Sequence, residues 1–171
     1  RLVPSLKKQG IETYVDIRAR EITKEDGRLK VVAKYKEKDE EIEVVGDYVL
    51  IASGRGPVIE GLNLEGLGVV YNEKGIVVNS DFQTSVDKIY AIGDVNGGVQ
   101  LAHVASAQAV YLIEKLHGLT PEINLEVYPN CVFTMTEVAH VGDTEEELKE
   151  SEIPYTAGKF MFAANGKALS R

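Results

Sequence analysis

Apolar and polar positions alternate along the chain in stretches with the period of a helix or of a strand. Leu2–Lys8 has helical spacing and predicts the end of an amphipathic helix. Residues 11–15 predict a short strand. Three further runs alternate between apolar and polar side chains and are separated by turn-forming residues, which predicts an antiparallel meander. These runs cover residues 17–23, 29–36 and 40–45.

Two later apolar runs end in glycine and predict buried strands. Residues 47–53 precede Gly54, and residues 89–92 precede Gly93 and Asp94. A continuous apolar run is typical of a parallel strand that is covered on both faces. Ligands of open sheets bind beyond the carboxyl ends of such strands, so Asp94 is a candidate acceptor for sugar or sugar-alcohol hydroxyls. The spacing alone leaves open an ordinary strand–turn–helix connection.

A helix is predicted over residues 102–117, with Gly118 as its stop. Its apolar face is predicted from the helical spacing of Ala109, Leu112, Ile113 and Leu116. The free N–H groups and the positive dipole end of this helix would face the crevice beyond Asp94. The segment therefore adds backbone donors to the candidate site.

From about Leu119 the pattern indicates a second unit. Residues 131–134 and 139–141 predict strands, and residues 155–162 predict another. Thr144 followed by three glutamates is a capping box, which predicts a helix that runs toward residue 151.

Composition restricts the class of protein. The 171 residues are 44% hydrophobic, which indicates a globular chain with a core. The net charge of −8 argues against nucleic acid or an anionic membrane surface as partner. No apolar run approaches the roughly 20 residues that span a bilayer. The first residues do not resemble a secretory signal. No metal site is predicted, because the three histidines and the cysteine are not in ligand spacing.

The single cysteine, Cys131, excludes an internal disulfide framework and fits a reducing cytoplasm. It lies in an apolar strand-like run without a Cys-x-x-Cys partner. We therefore expect a buried, inert thiol rather than a nucleophile.

Several stretches resemble, in register, the two-dinucleotide flavoprotein disulfide reductases. A Gly-Arg-x-Pro segment follows the first apolar run, and Gln100 to Ala105 (Gln-Leu-Ala-His-Val-Ala) is most like the dihydrolipoamide dehydrogenase branch. The other matching stretches are residues 81–85, 89–94, 128–129, 133–139 and 160–165. The resemblance implies an α/β fold with α+β elements, in which partial Rossmann-like FAD- and NAD-binding domains precede the start of an α+β interface domain. The implied boundaries are 1–57 for the NAD domain with its meander, 58–118 for the return segment of the FAD domain, and 119–171 for the dimerisation domain.

The resemblance also implies cofactor-binding residues. The Asp94 carboxylate would bind a ribityl hydroxyl of FAD, and the helix start would direct backbone N–H groups at the flavin. The implied FAD set is Gly93, Asp94, Gln100, Leu101, Ala102 and His103, and the implied NAD set is Gly54 and Ala19. His103 is interpreted as a residue beside the cofactor and not as the catalytic base. Arg55 could be a phosphate ligand or could form a structural ion pair.

No catalytic residue is predicted in this chain, because the family's redox-active Cys pair would precede residue 1 and its His–Glu pair would follow residue 171. The chain is therefore expected to be a fragment of a homodimeric, cytoplasmic enzyme that oxidises dihydrolipoamide on a lipoyl domain with NAD as acceptor. Two alternatives remain open: another member of the class, such as a mercuric or coenzyme A-disulfide reductase, or, for the isolated chain, a non-catalytic nucleotide-binding or dimerisation module.

Overall fold

A computed structural model describes residues 2–170, which divide into one unit that ends at Ile123 and another that begins at Asn124. The first unit contains α1 (Leu2–Lys8), β1 (Ile17–Glu25), β2 (Arg28–Tyr35), β3 (Glu41–Gly46), α2 (Leu64–Leu67), β4 (Tyr71–Asn72), β5 (Gly75–Ile76), a 3₁₀ turn (Gly93–Asn96) and α3 (Ala102–Leu116). The second unit contains β6 (Pro129–Val132), β7 (Val138–Val141), α4 (Glu145–Glu150), a 3₁₀ turn (Phe162–Ala164) and α5 (Gly166–Leu169).

The predicted meander is confirmed. Strands β1, β2 and β3 form an antiparallel sheet in that order. Asp26 and Gly27 connect β1 to β2 with φ angles of 50° and 81°, which is the combination that a two-residue type I′ hairpin requires. The central strand carries Ala33, which is 4% exposed.

A small apolar core lies between α2 and the 3₁₀ turn at Gly93–Asn96. Its buried members are Leu64, Val69, Ile76 and Ala91. The partly buried side chains packed against them are Ile59, Val78, Val86, Ile89 and Val95. This core supports the turn that carries Asp94.

Helix α3 is confirmed, and Gly118 follows it in a left-handed conformation with φ 74°. Its buried face differs from the predicted one, because Val104, Gln108 and Leu112 are buried while Ile113 and Leu116 are about half exposed. The Gly93–Asn96 turn packs on the face of α3 that carries Gln108.

Four predicted strands are absent from the described residues. Residues 11–15, 47–53 and 155–162 form no ladder, and Leu50 is 90% exposed. Residues 89–92 make a single antiparallel bridge, in which Tyr90 pairs with Gln83. A strand is held by hydrogen bonds to a neighbouring strand, and within residues 2–170 no such ladder covers these runs.

The second unit contains a two-stranded ribbon in which Cys131 lies opposite Ala139. The predicted burial of Cys131 is wrong, because this residue is exposed. A two-stranded ribbon that no further layer covers leaves its side chains in solvent. The capping box is confirmed: the backbone N–H of Glu147 donates to the Thr144 hydroxyl, and the Glu147 carboxylate accepts from the backbone N–H of Thr144 at 2.7 Å.

Over the described part of the chain, no helix has both the length and the apolar character that a membrane crossing needs.

Candidate functional site

The Gly93–Asn96 turn is seated directly on α3. Gly93 has φ 72°, and a Cβ there would lie 3.1 Å from the Cβ of Ala105. Its backbone N–H donates to Oε1 of the buried Gln108 at 2.7 Å. The positive φ favours glycine at residue 93, and a Cβ there would make a tight contact with the helix.

The carboxyl end of the turn packs closely against the backbone of the β4–β5 hairpin at Lys74 and Gly75. A Cβ on Gly97 would lie 2.0 Å from the carbonyl oxygen of Lys74, and a Cβ on Gly75 would lie 2.4 Å from the carbonyl oxygen of Val95. The N–H of Gly97 closes the turn on the carbonyl of Asp94 at 3.1 Å. The turn is thus clamped between α3 and the β4–β5 hairpin.

Asp94 projects from this clamped turn and is exposed. Within residues 2–170, no hydrogen bond or ion pair engages its carboxylate. An ionised carboxylate is an acceptor with two oxygens, so the side chain can accept hydrogen bonds from the hydroxyl groups of a ligand.

The start of α3 lies near the same turn. The carbonyl of Leu101 accepts hydrogen bonds from the N–H groups of Val104 and Ala105, both at 3.0 Å. Ala102 and His103 are exposed at the beginning of the helix. Since Gly93 packs on Ala105, one helical turn further along, the structure brings Asp94 close to the amino end of α3.

The structure also places the predicted residues that precede α3 beside the Gly54 loop. Arg55 donates through Nη2 to the carbonyl oxygen of Gln100 at 3.2 Å. This contact is to a neutral group, and within the described residues Arg55 forms no ion pair, so the ion-pair interpretation is not supported. Gly54 is exposed with φ 123°, a conformation that favours glycine.

Ala19 lies apart from this group, in β1 of the meander. It is exposed, pairs with Ala33 of β2, and is followed by an irregularity in the register before Glu21. The structure therefore collects Gly93, Asp94, the residues at the start of α3 and the Gly54 loop in one region, and it places Ala19 in the separate three-stranded sheet.

One residue of this region was not predicted. Gln108 is 7% exposed and binds the turn through its side-chain amide. The sequence could have indicated its burial, because Gln108 lies four residues from Val104 and four from Leu112 and so shares their face of the helix.

The opposite end of α3 is tied to the segment before the turn. Lys115 forms an ion pair with Asp81, and its Nζ lies 5.6 Å from the ring centroid of Tyr111. Phe82 packs edge-on against Tyr111, with the ring centroids 5.9 Å apart. The hydrogen bond to the Asp81 carboxylate raises the pKa of Lys115. In residues 2–170 no group of His, Cys, Asp and Glu side chains could hold a metal ion.

Sequence comparison identifies the family. Residues 2–109 match the profile of the pyridine nucleotide-disulphide oxidoreductases, and residues 128–171 match the dimerisation domain of the same class. The chain therefore belongs to the pyridine nucleotide-disulphide oxidoreductase family, whose members use FAD and NAD. The predicted family and the mixed α/β fold class are confirmed.

Curated relatives refine this placement. The chain is 38% identical over 167 residues to dihydrolipoyl dehydrogenase of Bacillus subtilis, covering 96% of this chain and 35% of that protein. It is 39% identical over 166 residues to the same enzyme of Staphylococcus aureus, with 96% and 35% coverage. The mitochondrial enzyme of Pisum sativum is 38% identical, with 96% and 33% coverage. The chain spans about a third of the length of these relatives.

Solved structures have the same fold. The HOCl-induced flavoprotein disulfide reductase RclA from Escherichia coli superimposes with a TM-score of 0.78 at 26% identity, over 98% of this chain and 38% of that one. LpdA from Mycobacterium tuberculosis gives a TM-score of 0.71 at 27% identity, over 88% and 32%.

Proposed function

We propose that this chain is the part of an FAD-dependent dihydrolipoamide dehydrogenase that completes the flavin site and begins the subunit interface. The whole protein would oxidise dihydrolipoamide with NAD as acceptor. The observation that carries the proposal is the exposed carboxylate of Asp94, which has no partner within residues 2–170 and projects from a turn clamped beside the start of α3.

The residues present fit a flavin dinucleotide. Asp94 would accept a hydrogen bond from a ribityl hydroxyl, and Gly93 would keep the turn close to the helix. The helix start at Gln100, Leu101, Ala102 and His103 would place backbone N–H groups at the flavin edge. The positive end of the helix dipole would stabilise negative charge there. FAD, when bound, supplies the electron-accepting chemistry, and these residues bind and orient it.

The NAD side of the proposal rests on Gly54 and Ala19. A Cβ at Gly54 would meet no atom within 4 Å, so the space beside this backbone is open for a ligand. Both residues are exposed. We assign residues 1–57 to the NAD domain, 58–118 to the FAD domain and 119–171 to the interface domain.

The reacting thiols would come from elsewhere in a longer protein, because this chain has one cysteine. The exposed apolar side chains of residues 47–53 support this view, since Tyr48 is 94% and Leu50 is 90% exposed. An apolar run of this kind is typical of a strand inside a sheet that is covered on both faces.

Homodimerisation would use the second unit, which carries several large exposed apolar side chains: Phe133, Met135, Phe160, Met161 and Phe162. Exposed apolar surface of this kind is typical of a protein–protein interface. The proposed electron donor is dihydrolipoamide on a lipoyl domain, in the cytoplasm.

The test uses the full-length protein that contains this chain. We expect a yellow protein with bound FAD that reduces NAD in the presence of free dihydrolipoamide, and faster with a lipoylated domain. A matched assay with NADP tests the acceptor. A purified protein that is folded but holds no flavin after reconstitution would refute the proposal.

A second candidate is a flavoprotein disulfide reductase with another substrate, favoured by the TM-score of 0.78 to RclA. Turnover of a mercuric or coenzyme A-disulfide substrate, without turnover of dihydrolipoamide, would support this alternative. The isolated 171-residue chain would in either case be a non-catalytic nucleotide-binding or dimerisation module.

A further inference from the structure

Among residues 2–170, Gln108 is the one buried side-chain amide that contacts the turn at Gly93–Asn96. It is 7% exposed, and its Oε1 lies 2.7 Å from the Gly93 nitrogen. The Gly93 N–H is a donor, so the amide must present its oxygen to this contact. A buried N–H without an acceptor is costly, and α3 supplies the acceptor.

We propose that Gln108 is a positioning residue for the cofactor: it fixes the Gly93–Asn96 turn on α3 and thereby sets where the Asp94 carboxylate points. The inference deepens the proposed function and rests on it, since the ligand of Asp94 is the flavin of that proposal.

The packing around Gly93 makes this role specific. Gly93 approaches Ala105 so closely that a Cβ at residue 93 would lie 3.1 Å from the Cβ of Ala105. Ala105 and Gln108 lie three residues apart on α3, so they share one face of the helix. The small side chain of Ala105 permits Gly93 to approach the helix, and the amide oxygen of Gln108 then fixes the position of Gly93 along α3. Asp94 is the next residue, so any slip of Gly93 on the helix displaces its carboxylate.

The far end of the turn does not replace this contact. The close approach of Gly97 to Lys74 limits the turn by steric contact, and Asn96 bonds locally to the carbonyl of Ala91 at 3.3 Å. Neither contact joins the turn to α3. Without Gln108 the turn would keep its shape but lose its hydrogen-bonded register on the helix that carries the flavin-facing amides.

The test compares three variants of the full-length protein. Gln108→Met keeps the length and the helix propensity of the side chain but removes the acceptor. Gln108→Glu keeps an oxygen acceptor in either protonation state. Leu112→Ala is the matched control, since it removes packing from the same buried face of α3, one turn away from Gln108.

We expect Gln108→Met to weaken FAD binding by roughly 5- to 50-fold, while Gln108→Glu and Leu112→Ala retain most of the wild-type affinity. The affinity is measured by flavin fluorescence on dilution of the holoprotein. In apoprotein, hydrogen exchange of the segment around Gly93 should accelerate in Gln108→Met and not in Gln108→Glu.

Wild-type flavin affinity and wild-type exchange in Gln108→Met would overturn the inference. Equal loss of flavin in Gln108→Met and Leu112→Ala would also overturn it, because the effect would then be general destabilisation. A folded wild-type protein without flavin would refute the proposed function and the cofactor part of this inference, while the exchange comparison would still decide whether Gln108 fixes the turn.

Discussion

Replacing Asp94 by alanine should separate flavin binding from folding. The carboxylate is exposed and has no partner within residues 2–170, so its removal should change the free energy of unfolding of the apoprotein by no more than about 0.5 kcal/mol. In the holoprotein the same change removes a charge-assisted hydrogen bond to a ligand hydroxyl, worth about 1.5–3 kcal/mol. The expected loss is roughly one to two decades in the Kd for FAD.

Asp81→Ala is the matched control, with the same side chain removed from the same unit. Asp81 is paired with Lys115, and the two side chains are 45% and 40% exposed. Its removal should lower apoprotein stability slightly through loss of a screened surface pair, and it should leave flavin affinity unchanged. The two variants should therefore show opposite patterns.

Flavin release is measured by fluorescence on dilution of the full-length holoprotein, and apoprotein stability by urea unfolding. Asp94→Asn, which keeps the shape but loses the charge, should retain part of the affinity. The reasoning is refuted if Asp94→Ala and Asp81→Ala release flavin equally. It is also refuted if Asp94→Ala lowers apoprotein stability more than the control does, because Asp94 would then be a structural residue of the turn.

Four further outcomes are expected. Gly97→Ala should destabilise the protein in thermal unfolding much more than Gly118→Ala, because both glycines have positive φ but a Cβ only at Gly97 would collide with the carbonyl of Lys74; similar losses would contradict the close approach. Thr144→Ala should cost about 1 kcal/mol of local helix stability, seen as faster amide exchange in α4, and unchanged exchange would argue against the cap. Hydrogen bonds from Thr144 lower the pKa of Glu147. The stabilisation that this carboxylate gives α4 should therefore be complete above the ordinary pKa of glutamate and should be lost as the pH falls through the lowered pKa. Amide exchange in α4 that does not depend on pH would contradict this. The isolated 171-residue chain should show no reduction of NAD by dihydrolipoamide, since one cysteine cannot form the redox pair, and measurable turnover would disprove this.

Features with local causes could be predicted from the sequence. The Asp26–Gly27 hairpin follows from the backbone conformations that these two residues tolerate. The capping box at Thr144 and the extent of α3 follow from side-chain to backbone hydrogen bonds and from helical spacing within a few residues. The family could be predicted as well, because its motifs are contiguous stretches of the chain.

The tertiary structure decided what depends on distant partners. The apolar runs at 47–53 and 155–162 carry strand composition but form no strand, since pairing comes from a neighbouring ladder and not from the run itself. Cys131 lies in an apolar stretch of the sequence but is exposed, because burial requires a covering layer. In the sequence, Gln108 is an ordinary polar residue of a predicted helix. Only the packing of Gly93 on α3 shows that the Gln108 amide holds the turn that carries Asp94.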